Sequence, residues 1–252
     1  MHAAICISGQ FRDYTKTLHS FSNLINQFDK CDVFIIYDEN EKEQDIKNVK
    51  TLLKPVDSKV VKSLSSCSNL NMWYKIKESY LLCKKYYEKN NIKYDIIIRA
   101  RYDLLFFNKF DFRNFEINKK ELYIGTSFNK LFSTLQRITF FVKKFLLDTF
   151  FFGSPEIMDY YMNFYNSIAI SNNSCLTRNY PEFDFQKYSD VIHTKIIKLP
   201  IYYEHFNFHQ NFFKYGIFKL LHPNGFRPIY NFKLISIFLI ILIFYLLYTS
   251  NC

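Results

Sequence analysis

The first hundred residues switch repeatedly between two hydrophobic periods, and that alternation limits the fold more than any other feature. Ala3–Ile7 (AAICI), Val33–Tyr37, Lys59–Val61 and Ile96–Ile98 are short apolar or β-branched runs of strand length. Between them, residues recur at helical spacing: Leu18, Phe21, Ile25 and Phe28, then Ile46, Val49 and Leu53, then Met72, Trp73, Ile76, Tyr80, Cys83 and Tyr87. The order reads β-α-β-α-β-α-β. Parallel neighbours need a long crossover between them, so this order predicts an α/β domain with a mostly parallel central sheet flanked by helices. The chain is 49% hydrophobic and 20% aromatic, enough to build a large core and to argue against general disorder.

The fourth strand of this series lies in Tyr94–Phe107, YDIIIRARYDLLFF. Its run Ile96-Ile97-Ile98 suits a strand buried on both faces. Arg99, Arg101 and Asp103 then fall two apart, which at strand period places two cations and a carboxylate on one side. Buried without partners they would be costly, so they are expected to emerge at the strand's C-terminal end, where open α/β sheets bind ligands. An Arg–Asp ion pair stapling the strand end is the structural alternative.

Beyond this block the chain is polar until a short strand at Leu122–Ile124. Lys130–Leu147 reads as a basic amphipathic helix, and Asp148–Gly153 as a buried strand closed by a glycine turn. Ser154 suits an N-cap and Pro155 the first position of a helix continuing through Ile157, Tyr161, Phe164 and Ile168. Pro181-Glu182 opens another short helix, and Thr194–Tyr203 reads as a final strand interrupted by Pro200. His205 and His209, four apart beside Glu204, lack the rest of a zinc-protease motif and read as linker or surface residues.

The tail differs in kind. Leu234–Tyr248 is 15 residues without a charge, following Lys214, Lys219, Arg227 and Lys233. Fifteen residues rise about 22 Å, workable for a ~30 Å hydrocarbon core once the flanking residues extend it. The pattern predicts a C-terminal transmembrane anchor over 233–250, a basic juxtamembrane linker over 206–232, and a catalytic-sized domain over 1–205 facing the cytoplasm.

The same residues narrow the range of ligands. A formal net charge of +10 suits nucleic acid, an anionic membrane surface or a polyanionic small ligand. No dense Lys/Arg run and no nucleic-acid-binding motif is present, so nucleic acid is not expected as a partner. The five glycines form neither G-x-G-x-x-G nor a P-loop, so any phosphate must be met by basic side chains, a metal or a helix N-terminus. The six cysteines show no C-x-x-C and no regular spacing, which reads as a reduced compartment rather than a disulfide framework.

Several short motifs fall in an order that resembles a family of glycosyltransferases of the GT-A type, many from large viruses and bacterial surface-polysaccharide loci. They are Ile7-Ser8-Gly9-Gln10 with Arg12, Asp32-Val33-Phe34, Trp73, the YD-x-x-x-R-x-R-x-D block, Asp148-x-Phe with Gly153-Ser154 and Glu156-x-Met158, and Pro181-Glu182. The resemblance spans roughly residues 3 to 200. It implies a single Rossmann-like GT-A domain moving a sugar from a nucleotide-diphosphate donor to a hydroxyl of a glycan, lipid or protein. It places Ser8, Gly9, Arg12, Arg99, Arg101 and Asp103 around the donor, with Asp103 in the position that holds Mn²⁺ or Mg²⁺. Arg101 stands where a second acid is often found, so the two arginines are an alternative source of positive charge. Asp148, and after it Glu182, are the candidates for acceptor binding or general base. A membrane-tethered nucleotide- or glycan-binding module that keeps the fold without the chemistry is the competing reading.

Overall fold

A computed structural model describes residues 1–64, 68–106, 111–112, 115–127, 150–170 and 194–205. These all fall in the unit Met1–Phe208. The strands are β1 (His2–Ser8), β2 (Lys30–Asp38), β3 (Asp57–Val61), β4 (Ile96–Ala100), β5 (Leu104–Phe106), β6 (Glu121–Ser127), β7 (Phe151–Gly153) and β8 (Lys195–His205). The helices are α1 (Tyr14–Thr17), α2 (Phe21–Ile25), α3 (Glu43–Leu53), α4 (Ser68–Lys89), α5 (Pro155–Met162) and α6 (Phe164–Ile170). The strands form one sheet in the order β3-β2-β1-β4-β7-β6-β8-β5.

The expected β-α alternation is realised in the first four strands, which pair entirely in parallel. The rest of the sheet is mixed. β7 runs antiparallel to both β4 and β6, β8 runs parallel to β6, and β5 runs antiparallel to β8.

Strand periodicity sorts the core into two layers. Ala3, Ile5, Ile7, Val33, Ile35, Ile96 and Ile98 face one side, where Leu18, Phe21, Leu24, Val49 and Leu53 cover them. Ala4, Cys6, Phe34 and Ile97 face the other side, against Trp73, Ile76, Tyr80 and Cys83 of α4 and Met158 and Tyr161 of α5. The aromatic stripe of α4 is therefore core, as its spacing predicts. Burying each such side chain is worth roughly 1.5–3 kcal/mol, so these two layers dominate stability. The chain builds outward from β1 through β2 to β3, then α4 carries it across the other face to begin β4 on β1's opposite flank. The strand order therefore reverses between β1 and β4.

Several local expectations are corrected. The helical pattern from Leu18 to Phe28 is realised only as a 3₁₀ turn at Leu18–Ser20 and the short α2, with α1 just before them. Hydroxyl bonds explain the break. Thr17 Oγ1 donates to the Tyr102 carbonyl at 2.5 Å, and Ser20 Oγ accepts from the Phe106 amide at 3.0 Å while donating to the Thr17 carbonyl at 2.7 Å. These bonds draw the segment onto the chain that follows β4, at the expense of regular helix. The helix expected from Pro155 to Ile168 divides at Asn163, whose side-chain amide donates to the Asp159 carbonyl at 2.8 Å. Its start is as expected: Ser154 Oγ accepts from the Ile157 amide and Pro155 occupies the first turn. β8 runs through Pro200 because the ladder bulges there, with the pairs Ile124–Lys198 and Thr126–Tyr202 leaving extra residues on β8.

Cys6, Cys31 and Cys83 are free thiols, and burial pushes the Cys31 thiol up to about 12. Among the described residues no helix is long and apolar enough to cross a membrane. The anchor expected over 233–250, the linker over 206–232 and the basic helix Lys130–Leu147 lie outside the described residues.

Candidate functional site at the C-terminal edge of the sheet

Open α/β sheets bind ligands beyond the carboxyl ends of their strands, where the strand order reverses. Here that point lies between β1 and β4, and it brings together residues far apart in the chain. Ser8 ends β1 and is 1% exposed, and its Oγ has no hydrogen-bond partner among the described residues. Gly9 follows with φ 138°, a conformation that L side chains rarely adopt. A Cβ on Gly9 would stand 3.9 Å from Arg101 Cγ, so the arginine stem lies over the glycine backbone.

From β4, Arg99 is also only 1% exposed. Its Nη1 donates to the Ser8 carbonyl at 3.0 Å and to the carbonyl of Ala100. A guanidinium on the α4 side of the sheet thus ties the ends of β1 and β4 together. The strand itself stops at Ala100, and Tyr102 and Asp103 form a turn into β5. The strand period read from Ile96 through Asp103 is therefore broken, with β4 before the turn and β5 after it. β4 pairs with β1 and β7, whereas β5 pairs with β8 at the far end of the sheet.

The break changes what the charged residues do. Arg101 Nε donates to Asp103 Oδ1 at 2.9 Å, and its Nη2 donates to Oδ2 at 2.6 Å. The Asp103 side chain is 5% exposed and that of Arg101 is 24% exposed. Such a fork-to-fork pair is strong and directional. The stapling ion pair, raised on the sequence as the structural alternative, is present.

Tyr102 locks the turn from within. It is fully buried, its hydroxyl donates to the Ile36 carbonyl at 3.0 Å, and Phe11 meets its ring edge-on at 4.7 Å. Burial pushes the Tyr102 phenol well above its ordinary range, so it stays a neutral donor. The Phe11 amide in turn donates to Glu41 Oε1 at 3.1 Å, fastening the loop after β1 to the loop after β2. Arg12 lies on that first loop with an exposed side chain.

A second buried pair stands at the same edge. Lys75 Nζ of α4 reaches both Asp38 oxygens, at 2.5 and 2.6 Å, at the end of β2. The sequence motifs include neither Asp38 nor Lys75. The available signal is a lysine set between Trp73 and Ile76 on the buried stripe of an amphipathic helix, which calls for a carboxylate partner.

Ser8, Gly9, Arg99, Arg101 and Asp103 thus share one edge, with Arg12 on the loop leading from it. Asp148 and Glu182 lie outside the described residues, as does His209. Other motif residues have structural explanations. Asp32 sits at the opposite edge, where its carboxylate is 3.0 Å from His2 Nε2 and 2.8 Å from the donating Tyr94 hydroxyl. Trp73 is buried edge-on against Phe164 at 4.7 Å. Gly153 admits no side chain, since a Cβ would lie 2.3 Å from Ile157 Cγ2.

Both Asp103 oxygens accept from Arg101, and no three His, Cys, Asp or Glu side chains converge among the described residues.

No protein-family model matches the chain, and no curated protein matches it either. Among solved structures, it is similar to a glycosyltransferase involved in glycosylation of the major capsid of PBCV-1. That similarity has 8% identity and a TM-score of 0.47, over 79% of this chain and 82% of the other. Two structures of the glycosyltransferase GlyE from Streptococcus pneumoniae TIGR4, one of them the apo form, are similar at 9% and 10% identity and a TM-score of 0.43. The matches cover 88% of this chain, which spans about half of theirs, 51%. At such identities the residues of a site have to be read from this chain itself.

Proposed function

We propose that the chain is a glycosyltransferase that binds a nucleotide-diphosphate sugar at the C-terminal ends of β1 and β4. One observation carries the reading: a conformationally special glycine, a buried hydroxyl with no hydrogen-bond partner among the described residues, and two arginines meet where the strand order reverses. Gly9 admits a ligand close to the backbone, Ser8 Oγ offers a hydrogen bond, and the arginines face the charge of a diphosphate.

In the transfer, the acceptor oxygen forms a bond to the anomeric carbon as that carbon's bond to the diphosphate breaks. The bonding electrons leave with the diphosphate, and the hydroxyl proton passes to a base. Positive charge fixed beside the departing oxygen lowers the barrier, because negative charge collects there in the transition state. Asp148 and Glu182 are the carboxylates proposed for the acceptor side, on the motif resemblance. The acceptor is a hydroxyl of a glycan, lipid or protein. The uncharged run Leu234–Tyr248 after four basic residues supports a membrane-held enzyme with its domain on the cytoplasmic face.

The Arg101–Asp103 pair also favours a second reading, in which the same edge binds a nucleotide or glycan without transferring sugar. Incubation of the full chain with a panel of nucleotide sugars, followed by chromatography for released nucleoside diphosphate, separates the two. Donor-specific release establishes transferase or donor-hydrolase chemistry. Calorimetric binding without release establishes the binding module, and neither binding nor release rejects both.

A further inference from the structure

We infer that β3 is an interface with a second copy of this chain, the two edge strands pairing antiparallel about a twofold axis at Ser58. The inference is independent of the nucleotide-sugar reading, because it concerns the end of the sheet and not the reversal between β1 and β4.

β3 is the outermost strand at one end of the sheet, and among the described residues it pairs only with β2. Its outer side therefore offers backbone N–H and C=O groups to a further strand. Folded proteins commonly guard such an edge with charge, proline or a covering element. Here apolar side chains gather along it instead. Leu52 near the end of α3, Val56 just before β3, Val60 within it and Leu64 soon after it are 58%, 38%, 49% and 55% exposed. Elsewhere among the described residues the exposed large apolar side chains are Leu81 and Tyr160, on α4 and α5. Scattered single exposures are ordinary, whereas a row along an open edge marks an association surface.

The edge matches itself, and that selects a second copy as its partner. β3 aligns Asp57 with Phe34 and Val60 with Tyr37. Phe34 belongs to the layer under α4 and Tyr37 to the opposite layer, the one under α3. Asp57 and Lys59 therefore point to the α4 side, where Lys59 bonds to Glu78, and Ser58 and Val60 point to the α3 side. Val56 continues that second row, and its amide already bonds the Val33 carbonyl at 2.8 Å. Directly opposed residues of antiparallel strands share a face, so a twofold axis has to fall on a residue and not between two. Centred on Ser58, the axis sets Asp57 of each copy against Lys59 of the other on the α4 side. On the α3 side it sets Val56 of each against Val60 of the other. Lys59 is within reach of a new partner, since 52% of its side chain is exposed. Centring on Asp57 or Lys59 brings like charges together, and centring on Val60 leaves both charges without an opposite.

The test is disulfide trapping of the full chain in detergent with copper–phenanthroline as oxidant. In the inferred register the two Ser58 Cβ atoms lie about 4.5–5.5 Å apart, whereas the two Val60 positions are roughly 13 Å out of step. Ser58→Cys should therefore give a linked dimer at least about fivefold more abundant than from Val60→Cys or the parent chain, because a bridge needs its Cβ atoms close together. Val56→Cys and Val60→Cys chains should link to each other when mixed, although neither links to itself. Peptide mass spectrometry locates each bridge, and thermal melts confirm that the variants fold. Asp57→Lys added to Ser58→Cys opposes like charges and should lower the yield about threefold or more. Equal yields at positions 58 and 60, or a yield that Asp57→Lys leaves unchanged, overturn the inference by showing random collision. No excess dimer from Ser58→Cys at any protein concentration overturns it as well. Either failure leaves the nucleotide-sugar reading standing, since nucleotide release tests that separately.

Discussion

Replacing Lys75 by methionine should cost the fold about 3–5 kcal/mol, although no apolar contact is lost. Methionine keeps most of the stem between Trp73 and Ile76 but removes the ammonium lying 2.5 and 2.6 Å from the two Asp38 oxygens. The side chains of the pair are 10% and 11% exposed, so water cannot readily replace the lost partner. Charges about 3 Å apart at an effective dielectric near 20 attract by roughly 5 kcal/mol, in line with the penalty known for orphaning one half of a buried pair. For a domain near 200 residues, each kcal/mol moves the melting temperature by about 2–4 °C, so a fall of around 10 °C is expected. The assay is urea denaturation followed by circular dichroism, with a thermal melt alongside. Asp38→Asn combined with Lys75→Met should recover most of the loss, because it removes the stranded charge. A Lys75→Met protein within about 1 kcal/mol of the parent, or a double variant no better than the single one, would refute the buried-pair reasoning.

Three further predictions follow from individual contacts. Ser8→Ala removes a buried hydroxyl that has no partner among the described residues, so it should leave stability unchanged or raise it by up to about 2 kcal/mol in urea denaturation, while weakening nucleoside diphosphate binding in calorimetry. Gly153→Ala should destabilise by roughly 1–3 kcal/mol, because its Cβ meets Ile157 Cγ2 at 2.3 Å; Ile157→Leu removes that branch and should restore part of the loss in the double variant. A bond from Lys195, and then one from the Tyr123 hydroxyl, lower the Glu121 carboxyl below its ordinary 4.5. A depressed folded value means stability present above 4.5 and lost as pH falls further, so Glu121→Gln should flatten that acid limb in melts between about pH 5 and 2.

Much of the N-terminal fold was legible because it is written in local periods. The runs at Ala3–Ile7, Val33–Tyr37 and Ile96–Ile98 sit in β1, β2 and β4, and the stripe through Trp73, Ile76, Tyr80 and Cys83 is the buried face of α4. The Ser154-Pro155 start of α5 was equally readable, since capping involves residues three apart. Where local pattern misled, a distant partner had intervened. Thr17 and Ser20 break the expected helix by bonding to Tyr102 and Phe106, 85 and 86 residues away. The strand period read from Ile96 through Asp103 breaks because β5 finds its partner in β8, a strand a hundred residues later.

The amino-acid sequence by itself determined the β-α order, the two apolar layers and the placing of Arg99, Arg101 and Asp103 just after a buried strand. Those follow from side-chain period and burial cost, which act over a few residues. Only the tertiary structure decided what the charges do. Ending β4 at Ala100 turned Arg101 and Asp103 into a bidentate pair, crossing to α4 gave Asp38 its lysine 37 residues on, and setting β4 beside β1 brought Arg99 to the Ser8 carbonyl and Arg101 over Gly9. Hydrogen bonds and ion pairs require a few ångströms between particular atoms, and for residues this far apart in the chain that distance is set by strand order rather than by local pattern.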